Sequence, residues 1–413
     1  YNIVDSIFVS RLSEKALTAV SLAFPMQNLL IAFAVGISVG ICSVVSRRLG
    51  EKREDEAFKA AETGYAILLI CTVAFMLIGF FFSKPFFKIY TNDLELIQMG
   101  TSYLRICLVV SLGCFLGVFN EKILQATGDT IHPMIIQLCG AIFNIVFDPI
   151  LIFGYFGFPA MGIEGAAYAT VAGQFVSMFV GILYAKRNQY VNIKFLRFSI
   201  DRKAAKDILQ VGLPSVVMQG IGTIMTSLMN AILITYEIVA TTVFGVYFKL
   251  QSFVFMPVFG LNSGLMPILA YNYGAKNRER IMKALRLGMI VAFAIMVLGM
   301  LAFMLIPDSL LGLFEASPRM LEVGEVALRR IALSFPLAAF TIILGALFQA
   351  MGDGYISMIT SLTRQIGILI PSAWLLGKLF GLDAIWFSFI IAEVVVIVLS
   401  VMFFGKEKRK LEF

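Results

Sequence analysis

The chain has 413 residues, is 59% hydrophobic and only 14% charged, and has a mean hydropathy of +0.89. That composition excludes a soluble globular fold of this size, because too few polar residues are present to cover one. The net charge of +7 does not point to nucleic acid: Lys and Arg sit in short stretches between apolar runs and at the C-terminus, where a membrane-topology signal belongs.

Apolar runs of about 20 residues recur from end to end, each long enough to cross a bilayer as a helix. The first, at 1–10, starts without Met and partway through a helical pattern, so the first span is expected to be truncated. The others are expected at 16–46, 57–82, 95–120, 132–153, 163–186, 208–235, 240–270, 284–306, 320–348, 356–380 and 384–404, which with the remnant makes twelve. Gly50 and Gly274 each follow an apolar run and precede charged residues, as helix C-caps do. The five cysteines all lie in apolar segments without a C-x-x-C pair, so neither a disulfide framework nor a zinc site is suggested.

Lys and Arg orient the chain. The stretches at 47–59, 121–131, 186–206 and 275–286 and the tail after Gly405 hold 22 of them, against 6 on the opposite side. The richer side is expected in the cytoplasm.

A shift of 224 residues lays one half on the other. Gly36 and Gly40 fall on Gly260 and Gly264, Gly50 on Gly274, and Leu104-Arg105 on Leu328-Arg329. Gln125-Ala126-x-Gly128-Asp129 falls on Gln349-Ala350-x-Gly352-Asp353. Such self-similarity marks an internal repeat, and six spans per unit give both halves the same orientation. The fold class is therefore an all-α polytopic membrane protein of two pseudo-symmetric six-helix lobes. The N-lobe is expected at 1–186, a cytoplasmic linker at 187–206 and the C-lobe at 207–413. The duplicated G-x-x-x-G pairs read as close helix packing within each half.

No metalloprotease, nucleophile-elbow, P-loop or diphosphate-binding motif is present, and the single His132 cannot build a histidine metal site. The chain therefore reads as no enzyme, with no cofactor. What remains is a set of polar and ionisable groups inside the spans, where such groups are costly and mark function. Asn144 and Asp148 lie at i and i+4 on one helix face, followed by Pro149. With Asp5, Tyr103, Arg105 and Thr170 they make up the polar set of the first half. Two such aspartates can share and release a proton, or with Asn and Thr oxygens hold a sodium ion. The second half does not repeat the set: Asp148 falls on Ser372 and Asn144 on Ile368. It holds instead Lys249, Gln251, Arg329, Arg330, Arg364 and Glu393. Lys249 reads equally as a cavity charge or as a side chain snorkelling to an interface. Arg105 and Arg329, matched across the repeat, read as structural pairing residues, and adjacent Glu121 and Lys122 as solvated ones. Gln27, Met26, Lys249 and Gln251 are the candidate substrate-cavity residues.

At these residues the chain resembles the multidrug and toxic compound extrusion (MATE) transporters over essentially its whole length. The matching stretches include Val4-Asp5-x-Ile7-Phe8-Val9, Val45-Ser46-Arg47-Arg48-x-Gly50, Asn144-x-x-x-Asp148-Pro149, Gly165-Ala166-Ala167-Tyr168-Ala169-Thr170 and Val211-Gly212-Leu213-Pro214. The resemblance implies two lobes forming a V around a central cavity, in a prokaryotic plasma membrane. It implies proton- or sodium-coupled export of drugs or toxic organic cations by a monomer. Asp5, Asn144, Asp148, Thr170 and Tyr103 match the N-lobe polar network of the DinF-like branch, with sodium as a possible ligand of the first four. The NorM-type sodium pattern is not matched, because the seventh span has no acidic residue. A flippase for a lipid-linked precursor, from the same wider superfamily, is the alternative.

Overall fold

The computed structural model describes residues 2–188, 198–314 and 317–412, without the side chains of Asn2, Ile3, Val4, Ser6 and Arg409. Most of the expected linker, residues 189–197, lies outside the described residues. Within them there is helix and no strand. The reason is the solvent: lipid offers backbone groups no partner, and a helix satisfies every N–H and C=O within one segment.

The first half runs α1 (Asn2–Ser10), α2 (Glu14–Gly50), α3 (Glu54–Tyr90), α4 (Leu94–Val109), α5 (Leu112–Ala126), α6 (Ile131–Phe153) and α7 (Ile163–Arg187). The second runs α8 (Arg202–Leu233), α9 (Ile238–Gly274), α10 (Arg278–Leu305), α11 (Pro307–Gly312), α12 (Pro318–Ala332) and α13 (Phe335–Met351). It closes with α14 (Gly354–Leu362), a π-helical stretch Thr363–Leu369, α15 (Ile370–Phe380), α16 (Leu382–Ile385) and α17 (Ser388–Glu407). Among the described residues eight spans are long and apolar enough to cross a bilayer, and ten if the bent pairs α4–α5 and α12–α13 each count once. By that measure α1 and the segment Gly354–Phe380 do not add to the ten.

The 224-residue repeat is kept in the backbone. Helices starting at Glu14, Glu54 and Leu94 recur at Ile238, Arg278 and Pro318, and those ending at Gly50 recur at Gly274. The bends of 43° in α4–α5 and 47° in α12–α13 match. Left-handed residues recur in pairs: Lys52 (φ 59°) with Lys276 (φ 53°), and Gly128 (φ 89°) with Gly352 (φ 95°). This corrects the C-cap expectation. Gly50 and Gly274 are the last residues of their helices, and the left-handed position two residues on is taken by lysine. At Gly50 a Cβ would stand 1.9 Å from the Tyr271 carbonyl oxygen.

The chain clusters into two compact units, residues 1–49 with 53–216, and residues 50–52 with 217–413. In the first, α7 packs against α4, α5 and α6, and α1 lies against α6 and α7. The glycine pair Gly36 and Gly40 packs against α8, the first helix of the second sequence half: Cβ atoms there would stand 2.5 Å from Val216 N and 2.3 Å from Ile208 O. At Gly260 nothing lies within 4 Å, so Gly36 and its repeat partner do not pack alike, and the first glycine pair does not pack within its own sequence half. In the second unit α9 packs on α10, α12 and α13, and α17 runs against α13 and the π-helical stretch.

Glu121 and Lys122 are buried within α5 rather than solvated, 6% and 9% exposed. Gln137 Nε2 donates to Glu121 Oε2 at 2.9 Å, and Lys122 Nζ donates to Gln125 Oε1 at 2.8 Å. Arg105 donates to the Phe80 carbonyl of α3 at 3.0 Å and lies over its ring, while Arg329 pairs with Glu325 one turn away.

Candidate functional site

Three helices deliver four polar side chains to one place in the first unit. Asp5 comes from α1, Asn144 and Asp148 from one face of α6, and Thr170 from α7. Asn144 and Asp148 are 0% exposed, Asp5 1% and Thr170 5%. Asp148 sits inside α6, which continues through Pro149 to Phe153.

The α6–α7 contact is close because small residues line it. A Cβ on Gly173 would stand 2.8 Å from Gly140 O and 3.2 Å from Asn144 Cβ, and one on Gly165 would stand 2.5 Å from Leu151 O. The loop between the helices turns on Gly154, Gly157 and Gly162, all at positive φ. It returns to donate from Met161 and Gly162 to the carbonyls of Leu151 and Ile152.

The hydrogen bonds form a short chain. Thr170 Oγ1 donates to Asp5 Oδ2 at 2.8 Å, and Asn144 Nδ2 donates to Asp148 Oδ1 at 3.1 Å and to Thr170 Oγ1 at 3.5 Å. The carboxyl groups of Asp5 and Asp148 lie within hydrogen-bonding reach of each other. Asp5 Oδ1, Asn144 Oδ1 and Asp148 Oδ2 are buried with no hydrogen-bond partner among the described residues. Three orphaned oxygens in one buried cluster are costly unless a cation meets them. The donors are all hard oxygens, the set that a proton or a sodium ion takes and a soft metal does not.

Tyr103 is buried but stands one step away. Its hydroxyl accepts from Gln27 Nε2 at 3.1 Å, and the same amide reaches Cys107 Sγ at 3.5 Å. Gln27, Cys107, Thr170 and Gln174 line a hollow of about 100 Å³, room for about three waters. Thr170 therefore belongs both to the carboxylate cluster and to a polar hollow beside it. Gln174 was not a sequence candidate; its signal would have been one turn of α7 from Thr170.

Within their own units the candidate cavity residues Gln27, Met26 and Gln251 line separate hollows. Gln27 lines the hollow just described. Met26, its neighbour, lines a separate apolar hollow with Phe82 and Phe86. Gln251 lines a hollow of about 320 Å³ in the second unit. Lys249 is exposed, with Nζ 5.7 Å from the Phe314 ring centroid, and does not line that hollow. Gln27 and Gln251 are the same position of the repeat, 224 residues apart.

The MatE family model matches residues 1–150 and 214–375, well over half of the chain. The chain belongs to the MatE family. A MatE protein is a membrane transporter and not an enzyme, and a multi-pass protein of the prokaryotic plasma membrane. Among its relatives is a protein named FAD transporter from Shewanella oneidensis, 26% identical, the match covering 93% of this chain and 85% of the relative. Another is a probable multidrug resistance protein NorM from Thermotoga maritima, 27% identical, covering 99% and 89%. A solved MOP-superfamily transporter from Pyrococcus furiosus, reported with a binding pocket of reverse polarity, superimposes with a TM-score of 0.92 at 27% identity, covering all of this chain and 92% of that one.

Proposed function

We propose that this MatE transporter exports amphipathic, mostly cationic drugs in exchange for protons or sodium ions, and that Asp5, Asn144, Asp148 and Thr170 bind the coupling ion. The observation that carries this is the pair of fully buried carboxyl groups within reach of each other, each with one unpartnered oxygen. Two buried carboxyl groups so placed present like charges that a bound cation offsets, so the site would take and release that cation as a unit. Thr170 orients Asp5 by donating to it, and Asn144 orients Asp148. A sodium ion would be held by the same four residues. Tyr103 and Gln27 supply a polar path along the adjoining hollow.

Exchange requires that ion and cargo each favour a different conformation of the transporter. Relatives named for multidrug export support the cargo class; the relative named FAD transporter widens it beyond cations. One arginine rather than a cluster lines the large hollow of the second unit, which does not favour a flippase for lipid-linked precursors. The test is efflux of ethidium from proteoliposomes under a proton gradient and under a sodium gradient imposed separately. Acceleration by one of the two is expected. Acceleration by neither, with the protein correctly inserted, would overturn ion coupling.

A further inference from the structure

The ion-coupling reading leaves unused a hollow of the second unit lined by aromatic and polar side chains. Its walls are aromatic: Tyr247, Phe248, Phe255, Phe259 and Phe389. Its polar groups include Gln251, Arg364, Gln365 and Glu393. A volume of about 320 Å³ is that of a small-molecule pocket with a few converging polar groups. A second hollow of about 100 Å³ shares Phe259 and Arg364 with it and is lined by Asn262, Thr341, Gln349 and three hydroxyl side chains. Asn262 Oδ1 there is buried without a partner among the described residues. Arg364 thus stands where an aromatic chamber meets a polar one.

The ion pair has a direction. Glu393 Oε1 accepts from Arg364 Nη1 at 3.2 Å and Oε2 from Thr341 Oγ1 at 3.2 Å, so both carboxylate oxygens are engaged. The Glu393 side chain is 10% exposed and that of Arg364 26%. The more exposed of the two is the guanidinium, with five N–H donors, one of which is used among the described residues. Arg364 and Gln365 also lie in the π-helical stretch Thr363–Leu369. Such widened turns within helices are frequent at functional sites.

We infer that this two-chambered hollow binds a planar aromatic small molecule bearing a carboxylate or phosphate, the ring against the Phe and Tyr walls and the anionic group on Arg364. Aromatic walls favour a flat ring by offset and edge-on stacking. A guanidinium held by one carboxylate keeps a planar fork for a second oxyanion. An amine-bearing cation would instead need Glu393, the more buried partner, whose two oxygens already accept from Arg364 and Thr341. The inference does not rest on ion coupling through Asp5 and Asp148, because equilibrium binding needs no gradient.

The experiment is fluorescence polarisation on the full chain in phosphatidylcholine nanodiscs, with 7-hydroxycoumarin-3-carboxylate and its uncharged carboxamide as probes. The carboxylate is expected to bind about tenfold or more tighter than the carboxamide, the margin of a charge-assisted hydrogen bond. The double variant Arg364→Gln/Glu393→Gln, which removes the pair without stranding a buried charge, should erase that margin. Phe389→Leu should weaken both probes alike. Equal affinity for the two probes on the unaltered protein would overturn the inference, and that comparison needs no variant to fold. So would a folded double variant that keeps the margin. Displacement of the carboxylate when phosphatidylglycerol replaces phosphatidylcholine would also overturn it, assigning the hollow to an acidic lipid headgroup.

Discussion

Helices α6 and α7 and their counterparts 224 residues on, the segment Gly354–Phe380 and α17, are one pair of elements used for two chemistries. In the first half Gly140, Gly165 and Gly173 let the backbones touch, and the polar groups meet each other directly. In the second half those positions are Arg364, Phe389 and Ile397. Bulk replaces glycine, the helix widens into a π-helical stretch, and a hollow of about 320 Å³ opens against α17. Asn144, Asp148 and Thr170 become Ile368, Ser372 and Val394, while Ala169 becomes Glu393. Duplication has kept helix starts, bends and left-handed turns, and has let the buried polar groups diverge. A close-packed pair suits a small ion; an open pair suits an organic molecule.

The sharpest way to break this contrast is to neutralise each half in turn. Asp5→Asn and Asp148→Asn should each lower gradient-driven efflux in proteoliposomes about tenfold or more, since coupling energies of about 1–3 kcal/mol are at stake. Glu393→Gln should leave the gradient dependence intact. Equal losses from all three would show that the two halves are not divided in this way.

The second unit's ion pair offers a stability test. Arg364→Leu strands Glu393 as a buried carboxylate and should cost about 2–3 kcal/mol, read as a lower thermal-unfolding midpoint in detergent. Arg364→Gln/Glu393→Gln should recover most of that loss. If the single and double variants unfold together, the pair contributes through packing alone.

Glycines matched across the repeat should respond with opposite signs. Gly36→Ala drives a Cβ to 2.5 Å from Val216 N, and overpacking of that kind costs about 1–3 kcal/mol. At Gly260, the same repeat position, a Cβ meets nothing within 4 Å. Gly260→Ala should therefore stabilise its helix by about 0.5–1 kcal/mol. Opposite signs in one unfolding assay are the expected outcome, and equal signs would contradict the asymmetric packing.

The smallest effect should be symmetric. Lys52 and Lys276 hold left-handed backbone in both halves. Glycine relieves that conformation at some cost in unfolded-state entropy, so Lys52→Gly and Lys276→Gly should each raise stability by about 0.5–1 kcal/mol. Unequal responses would show that the two turns are not equivalent.

Much of this was legible in the residues. The repeat offset could be read from Gln125-Ala126-x-Gly128-Asp129 and its copy, and helix starts keep it. The N-half cluster was legible because Asp5, Asn144 and Asp148 are polar groups in hydrocarbon-compatible sequence, where chance substitution is costly. The Arg364–Glu393–Thr341 constellation was not assembled, because its repeat partners Gly140, Ala169 and Gly117 carry no polar signal. A π-helical stretch also has no sequence signature. Tyr103 matched a family network, yet its hydroxyl meets Gln27 rather than a carboxylate, a geometry that spacing cannot give. Glu121 and Lys122 read as solvated because adjacent opposite charges usually are; their burial depends on Gln137 and Gln125 being within reach.

If ion exchange resides, as proposed, in the first half's carboxylate pair and not in the second half, cargo should drive ion movement through that pair alone. Following ion movement driven by cargo tests this most directly. Adding ethidium to one side of sealed proteoliposomes, with trapped proton- and sodium-sensitive dyes, should move one of the two ions in wild type and in Glu393→Gln, and neither ion in Asp148→Asn. Ion movement that survives in Asp148→Asn, or that disappears in Glu393→Gln while both proteins remain folded and inserted, would contradict the account.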